Sequence, residues 1–138
     1  MATSSLSKFN SFTEALAEKV HNLGSDAITV ALTNSAPVNT NTVLANITQA
    51  TYTFLNSRLL TVSGSAQTGG VYKLSIADKT LTSTGGSTGP FRYVVLFNDT
   101  ATNDELIGWY DYGTSITLGD AENLVLNFDD ANGVLTIT

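Results

Sequence analysis

From residue 58 onward the chain keeps returning to one arrangement, a short run of β-branched or aromatic residues followed by a cluster of turn formers. The runs cover residues 58–63, 71–77, 79–83, 91–98, 106–112, 123–128 and 134–138, and the clusters 64–70, 85–90, 99–105, 113–121 and 129–133 lie between them. Gly, Asn, Asp and Ser dominate the clusters because they tolerate or stabilise turn conformations. No helical period interrupts the series, which argues against an α/β fold with interleaved helices. The expected fold is mainly β, an antiparallel β-sandwich or jelly-roll-like body, with a small barrel as the closed variant. Within 91–98, Tyr93, Val94, Val95, Leu96 and Phe97 are apolar without alternation, which predicts a central strand covered on both faces, one cover being the opposing sheet and the other the N-terminal helix or a partner subunit.

Ahead of that region, Ile28, Val30 and Leu32 alternate with Thr29, Ala31 and Thr33, the pattern of a strand with one buried face, and residues 34–37 end it with turn chemistry. Residues 38–56 have no clear period and read as loop with room for one strand. A single segment has the period of a helix: Phe12, Leu16, Val20 and Leu23 fall on one stripe. Ser11 and Glu14 stand at capping-box spacing, Phe9 precedes them as a staple residue, and Gly24 offers a stop. The chain thus reads as one domain, with an extended segment over 1–10, an amphipathic α-helix over 11–23 and a β-sandwich over 27–138.

Thr, Ser and Asn supply a third of the 138 residues, while charged residues make up 13%, about half the usual share. Thr suits strands, and Ser and Asn suit turns, so the composition agrees with a many-turned β-protein. A net charge of -6 argues against nucleic acid as a partner, because a phosphate backbone needs clustered positive charge. The absence of cysteine removes disulfides, thiol nucleophiles and cysteine-based metal sites. The first residues lack the apolar run of a signal peptide or membrane span, so no membrane partner is expected and assembly is placed in the cytoplasm.

Residues able to carry chemistry are few. His21 is the single histidine and falls near the end of the predicted helix, where an imidazole caps carbonyls or sits half-solvated. No Gly-x-Ser-x-Gly elbow accompanies it, so a Ser-His-Asp set is not expected. Asp99, Asp104 and Glu105, then Asp120 and Glu122, then Asp129 and Asp130 gather in three loops. None of these loops has the Asp-x-Asp-x-Asp-Gly spacing of a calcium loop, and Asp is ordinary turn material. Gly85, Gly86 and Gly89 lead into a strand, not into the helix that a phosphate cradle requires. The expectation is no catalytic residue, no cofactor and no metal. Trp109, Tyr110 and Tyr112 share one predicted strand, with Trp109 on one face and the tyrosines on the other. Exposed, such rings anchor an interface or stack on a glycan; buried, they fill a core.

Residues 8–37 (KFNSFTEALAEKVHNLGSDAITVALTNSAP), 85–100 (GGSTGPFRYVVLFNDT), 106–113 (LIGWYDYG) and 129–138 (DDANGVLTIT) form four blocks spanning both ends and the middle of the chain. In sequence and in order they resemble a group of small tailed-bacteriophage virion structural proteins associated with capsid decoration or cement. Around residues 49–70 that group is expected to have a glycine-rich lead-in to the next strand, and this chain instead carries QATYTFLNSR at 49–58. The resemblance implies a sandwich or jelly-roll-like subunit, a homo-oligomer (dimer or trimer), bound to the major capsid protein on the virion surface, with no catalytic residues to carry over. On that reading the extended N-terminal segment and one sheet edge or face lie across joints between capsid subunits. Ser4, Leu6, Lys8 and Phe9 are then the candidate interface residues, with Trp109, Tyr110 and Tyr112 as further interface or glycan-stacking candidates. Two alternatives accompany it: a carbohydrate-binding or adhesin module of a virion fibre, and a head-completion, tail or baseplate component.

Overall fold

The two longest strands, β6 (Thr88–Asn98) and β7 (Leu106–Leu118), pair with each other, and the remaining elements are arranged around that hairpin. The computed structural model describes residues 5–129 and 131–138. In chain order the elements are β1 (Ser7–Lys8), α1 (Ser11–Ala17), β2 (Ile28–Thr33), a 3-10 turn (Leu44–Asn46), β3 (Val62–Thr68), β4 (Val71–Ile76), β5 (Lys79–Thr82), β6 (Thr88–Asn98), β7 (Leu106–Leu118), β8 (Asn123–Leu126) and β9 (Leu135–Ile137). The strands form a four-stranded sheet in the order β1-β7-β6-β2, a three-stranded sheet β3-β4-β9 and a two-stranded sheet β5-β8, with every pairing antiparallel. The fold is mainly β and sandwich-like, with one N-terminal α-helix.

The main core joins the four-stranded sheet to the two smaller ones. Ile28, Val30 and Leu32 of β2 and Val94 and Leu96 of β6 share one cluster with Leu74 and Ile76 of β4, Leu81 of β5, and Leu124 and Leu126 of β8. Phe9, Ala31, Ile47, Val95, Phe97 and Leu106 form a second, smaller cluster, with Leu44 and Trp109 packed against it. Since Val95 and Val94 face opposite ways on β6, this second cluster covers the other face of the same sheet. β6 is covered on both faces, as its unbroken apolar run predicts. So is β2, which is buried at all six positions instead of alternating. The second cover comes from Phe9, Leu44 and Ile47, whereas the helix turns Phe12 into the main core.

Several turn formers mark irregularities inside strands. β7 continues through Gly113 to Leu118, because residues on both sides of that glycine pair with β6. The residues between Asp111 and Ile116 are looped out of register, and a further shift at Leu96/Phe97 leaves Ile107 as the extra residue of a bulge. The shift between Phe91 and Tyr93 explains how Phe91 and Val94, three apart, both reach the main core. Residues 64–70 were expected as a loop, yet β3 runs to Thr68 and only Gly69–Gly70 turn. Their φ angles of 59° and 84° suit the two-residue hairpin turn that matches strand twist.

The helix is also shorter than its apolar stripe. It ends at Ala17 and not near Leu23, because Lys19 adopts φ 69°. Val20 N–H then donates to Ala15 O and Lys19 N–H to Leu16 O, the paired bonds of a Schellman ending, so Lys19 is the stop expected at Gly24. At the other end the N-cap is Asn10, with no side-chain cap bond, and the Ser11/Glu14 capping box is not formed. Leu23 still reaches the core from the start of a separate turn over residues 23–25.

Candidate functional site

The N-terminal segment enters the fold as a strap. Ser7 pairs with Trp109 and Lys8 with Gly108 at the edge of β7, and Phe9 N–H donates to Ile107 O. Gly108 is required for this approach: a Cβ there would stand 2.8 Å from both Leu6 Cδ1 and Ser7 O. Leu6 is half-buried, Ser7 and Lys8 are exposed, and Ser4 lies outside the described residues. Phe9 corrects the interface reading: it is fully buried, 4.6 Å from the Trp109 ring, and plugs the second cluster of this chain instead of facing a partner. The strap and the aromatic strand, separate candidates in the sequence, are thereby brought together through Phe9 and Trp109.

Trp109 and the two tyrosines lie on opposite faces of β7, as their alternation predicts. All three are half-buried. Tyr110 and Tyr112 pack against the main core, with the Tyr110 ring 6.0 Å from Phe128. Burial, with Asp129 nearby, pushes the Tyr110 hydroxyl up to about 12. The three rings do not form a shared platform.

A polar network sequence reading did not find sits where β2 begins and β6 ends. Asn98 Nδ2 lies 3.0 Å from His21 Nδ1 and donates to Asp26 Oδ2 at 2.6 Å. Asn98 Oδ1 accepts from the backbone N–H groups of Thr100 and Ala101, which fixes the amide orientation and makes His21 Nδ1 the acceptor. His21 is 5% exposed and stacks on Phe12, and its Nε2 is buried without a partner among the described residues. Burial lowers its pKa below 6.5, partly offset by Glu105 and Asp26. The imidazole is a neutral structural group and not an exposed helix cap.

Two of the three acidic loops spend carboxylate oxygens on backbone amides, while in the first burial and the neighbouring Asp99 and Glu105 hold the Asp104 carboxyl above its ordinary value. Asp120 accepts from Gly85 N–H, Glu122 from Gly119 N–H, and Asp129 from Ala131 and Asn132. Asp78 accepts from Phe128 N–H, and Asp111 pairs bidentately with Arg92 across β6 and β7 at 2.8 and 3.1 Å. Among the described residues, no three His, Asp or Glu side chains converge on a point that would hold a metal.

Residues 49–60, where the resemblance breaks, cover the free edge of β2. The Tyr52 hydroxyl accepts from Leu32 N–H at 2.9 Å and Arg58 donates to Val30 O at 2.5 Å, while the Arg58 guanidinium lies 3.7 Å over the Tyr52 ring. Arg58 O and Leu60 N–H extend the cover to Val30 and Ile28. Phe54 to Asn56 similarly cover β5 through Thr82 and Thr84. The signal in the sequence was the aromatic–arginine pair in an otherwise periodless stretch.

No protein-family model, no curated protein and no solved structure matches the chain. Among the described residues, no helix is long and apolar enough to cross a membrane.

Proposed function

We propose that the chain is a bacteriophage virion structural protein, a capsid decoration or cement protein that binds the outside of the head, stabilises joints between major capsid subunits and acts without catalysis. The observation that carries this reading is where the four resembling blocks fall. Residues 8–37, 85–100 and 106–113 contain Phe9, α1, β2, β6 and the half of β7 that pairs with the strap, and 129–138 contains β9 of the three-stranded sheet. The resemblance therefore follows the four-stranded sheet with its covers and one strand of the opposing sheet, while the stretch 49–58, where the chain departs, falls on an edge-covering loop. Subunits that share a scaffold and differ in their contacts divide in this way.

Such a protein works through surface. Binding the assembled shell more tightly than its separated subunits stabilises the shell by mass action, multiplied over many copies. A surface of Thr, Ser and Asn with few charges supports that role, since it packs against neighbours without stranding desolvated ions. Cryo-electron microscopy of purified particles tests the reading: many copies in lattice positions on the outer head surface are expected. A few copies per particle, or density confined to the tail, would refute it. In a binding assay on expanded empty heads, deleting residues 1–4 is expected to weaken attachment while leaving Phe9 in place; equal binding would remove residues 1–4, Ser4 among them, from the interface. Deletion through residue 10 is uninformative, because it also empties the second core.

A further inference from the structure

We infer that β3 is the contact through which two copies of this chain associate, edge to edge and antiparallel about a two-fold axis. Other edges are covered by the chain itself, and on β7 the strap pairs with residues 107–109. Tyr52, Arg58 and Leu60 occupy the outer edge of β2, and residues 54–56 occupy that of β5. β3 is different: it pairs with β4 on one side, and among the described residues no backbone bond reaches it on the other. Alternate residues of an antiparallel edge strand direct N–H and C=O groups outward, a ready template for another strand.

The composition of β3 identifies the occupant. Val62–Thr68 has no charge and no proline, the usual devices that keep an edge single, and Ser65 to Thr68 are exposed on both faces. It also offers no large side chain to fill a pocket, which is how strand addition normally selects a foreign peptide. The fitting strand is equally neutral and short-chained, and β3 of a second copy meets that requirement. Electrostatics agree. The chain carries a net charge of -6, yet β3, β4 and β9 together contain one charged residue, Lys73, and no carboxylate. Two acidic copies meet at this sheet without opposing their acids. Val71, exposed on the adjoining strand β4, adds apolar area beside the edge. The pairing is isologous and closes as a dimer, and it stands or falls independently of any capsid contact.

Light scattering after size exclusion tests it on the full chain. The wild type is expected at twice 14.5 kDa, and Ala66→Lys and Ala66→Glu, near the middle of β3, are each expected at the monomer mass. An equimolar mixture of the two variants is expected to return to the doubled mass, since opposite charges then face each other across the axis. Circular dichroism checks that both variants fold. In the wild type, hydrogen exchange of the 62–68 amides is expected to slow as protein concentration rises, a readout that needs no variant. A monomeric or trimeric wild type, variants that stay dimeric, or exchange independent of concentration would overturn the proposal.

Discussion

Asn98 uses its whole amide: both N–H groups go to His21 and Asp26, and the oxygen takes two backbone donors of the following loop. Protonating His21 would set a cationic donor against that amide donor, which gives the protein a definite acid response. In the unfolded chain His21 ionises near 6.5, and burial holds it lower in the fold. Below that value the unfolded state binds the proton the fold excludes, so this contribution is complete above about pH 6.5 and is lost as pH falls through the folded pKa. The slope is at most about 1.4 kcal/mol per pH unit. Urea midpoints should be lower at about pH 5.5 than at about pH 7.5 for the wild type, and His21→Gln should flatten the difference. The window lies above the range where Asp111 and Asp129, both held below the usual carboxylate values by hydrogen bonds, begin to protonate. At the strap, Phe9→Ala is expected to destabilise by about 3–5 kcal/mol in chemical denaturation, while Lys8→Ala stays within about 0.5 kcal/mol. Equal effects would show that the plug is not structural.

At the scale of elements, the strap and the 49–60 loop do the same work, each completing an edge of the four-stranded sheet. Tyr52→Phe removes the acceptor for Leu32 N–H and is expected to cost about 1–3 kcal/mol, with faster hydrogen exchange at Leu32. Unchanged exchange at that amide would mean that water replaces the hydroxyl as its acceptor. Strands with a strong period, such as β2, β6 and the first half of β7, were legible, because burial of both faces or one face writes itself into local composition. The helix was legible in position and not in length. Its apolar stripe runs to Leu23, but Lys19 ends it, and burial of Leu23 is served equally well by a turn. Gly113 looked like a loop residue because a positive φ serves an irregularity inside a strand as well as a turn.

Over the whole molecule, two clusters on opposite faces of one sheet tie the N-terminal strap, the 38–60 loop and the smaller sheets into one body. Calcium is expected to leave the thermal midpoint unchanged, since Asp120, Glu122 and Asp129 already accept from backbone amides and no metal-holding group of side chains forms among the described residues. A calcium-dependent rise in the midpoint would reveal a site formed from these loops. The sequence by itself determined the mainly β class, the central place of β6 and the opposed faces of Trp109 and the tyrosines, because periodicity is a local record of which side is buried. Tertiary structure alone decided that Phe9 belongs to the core, that Tyr52 and Arg58 close an edge, that Asn98 meets the buried His21 and that one side of β3 is unpaired among the described residues. Each of those depends on which distant backbone group comes within hydrogen-bonding or packing distance, and no local pattern encodes that.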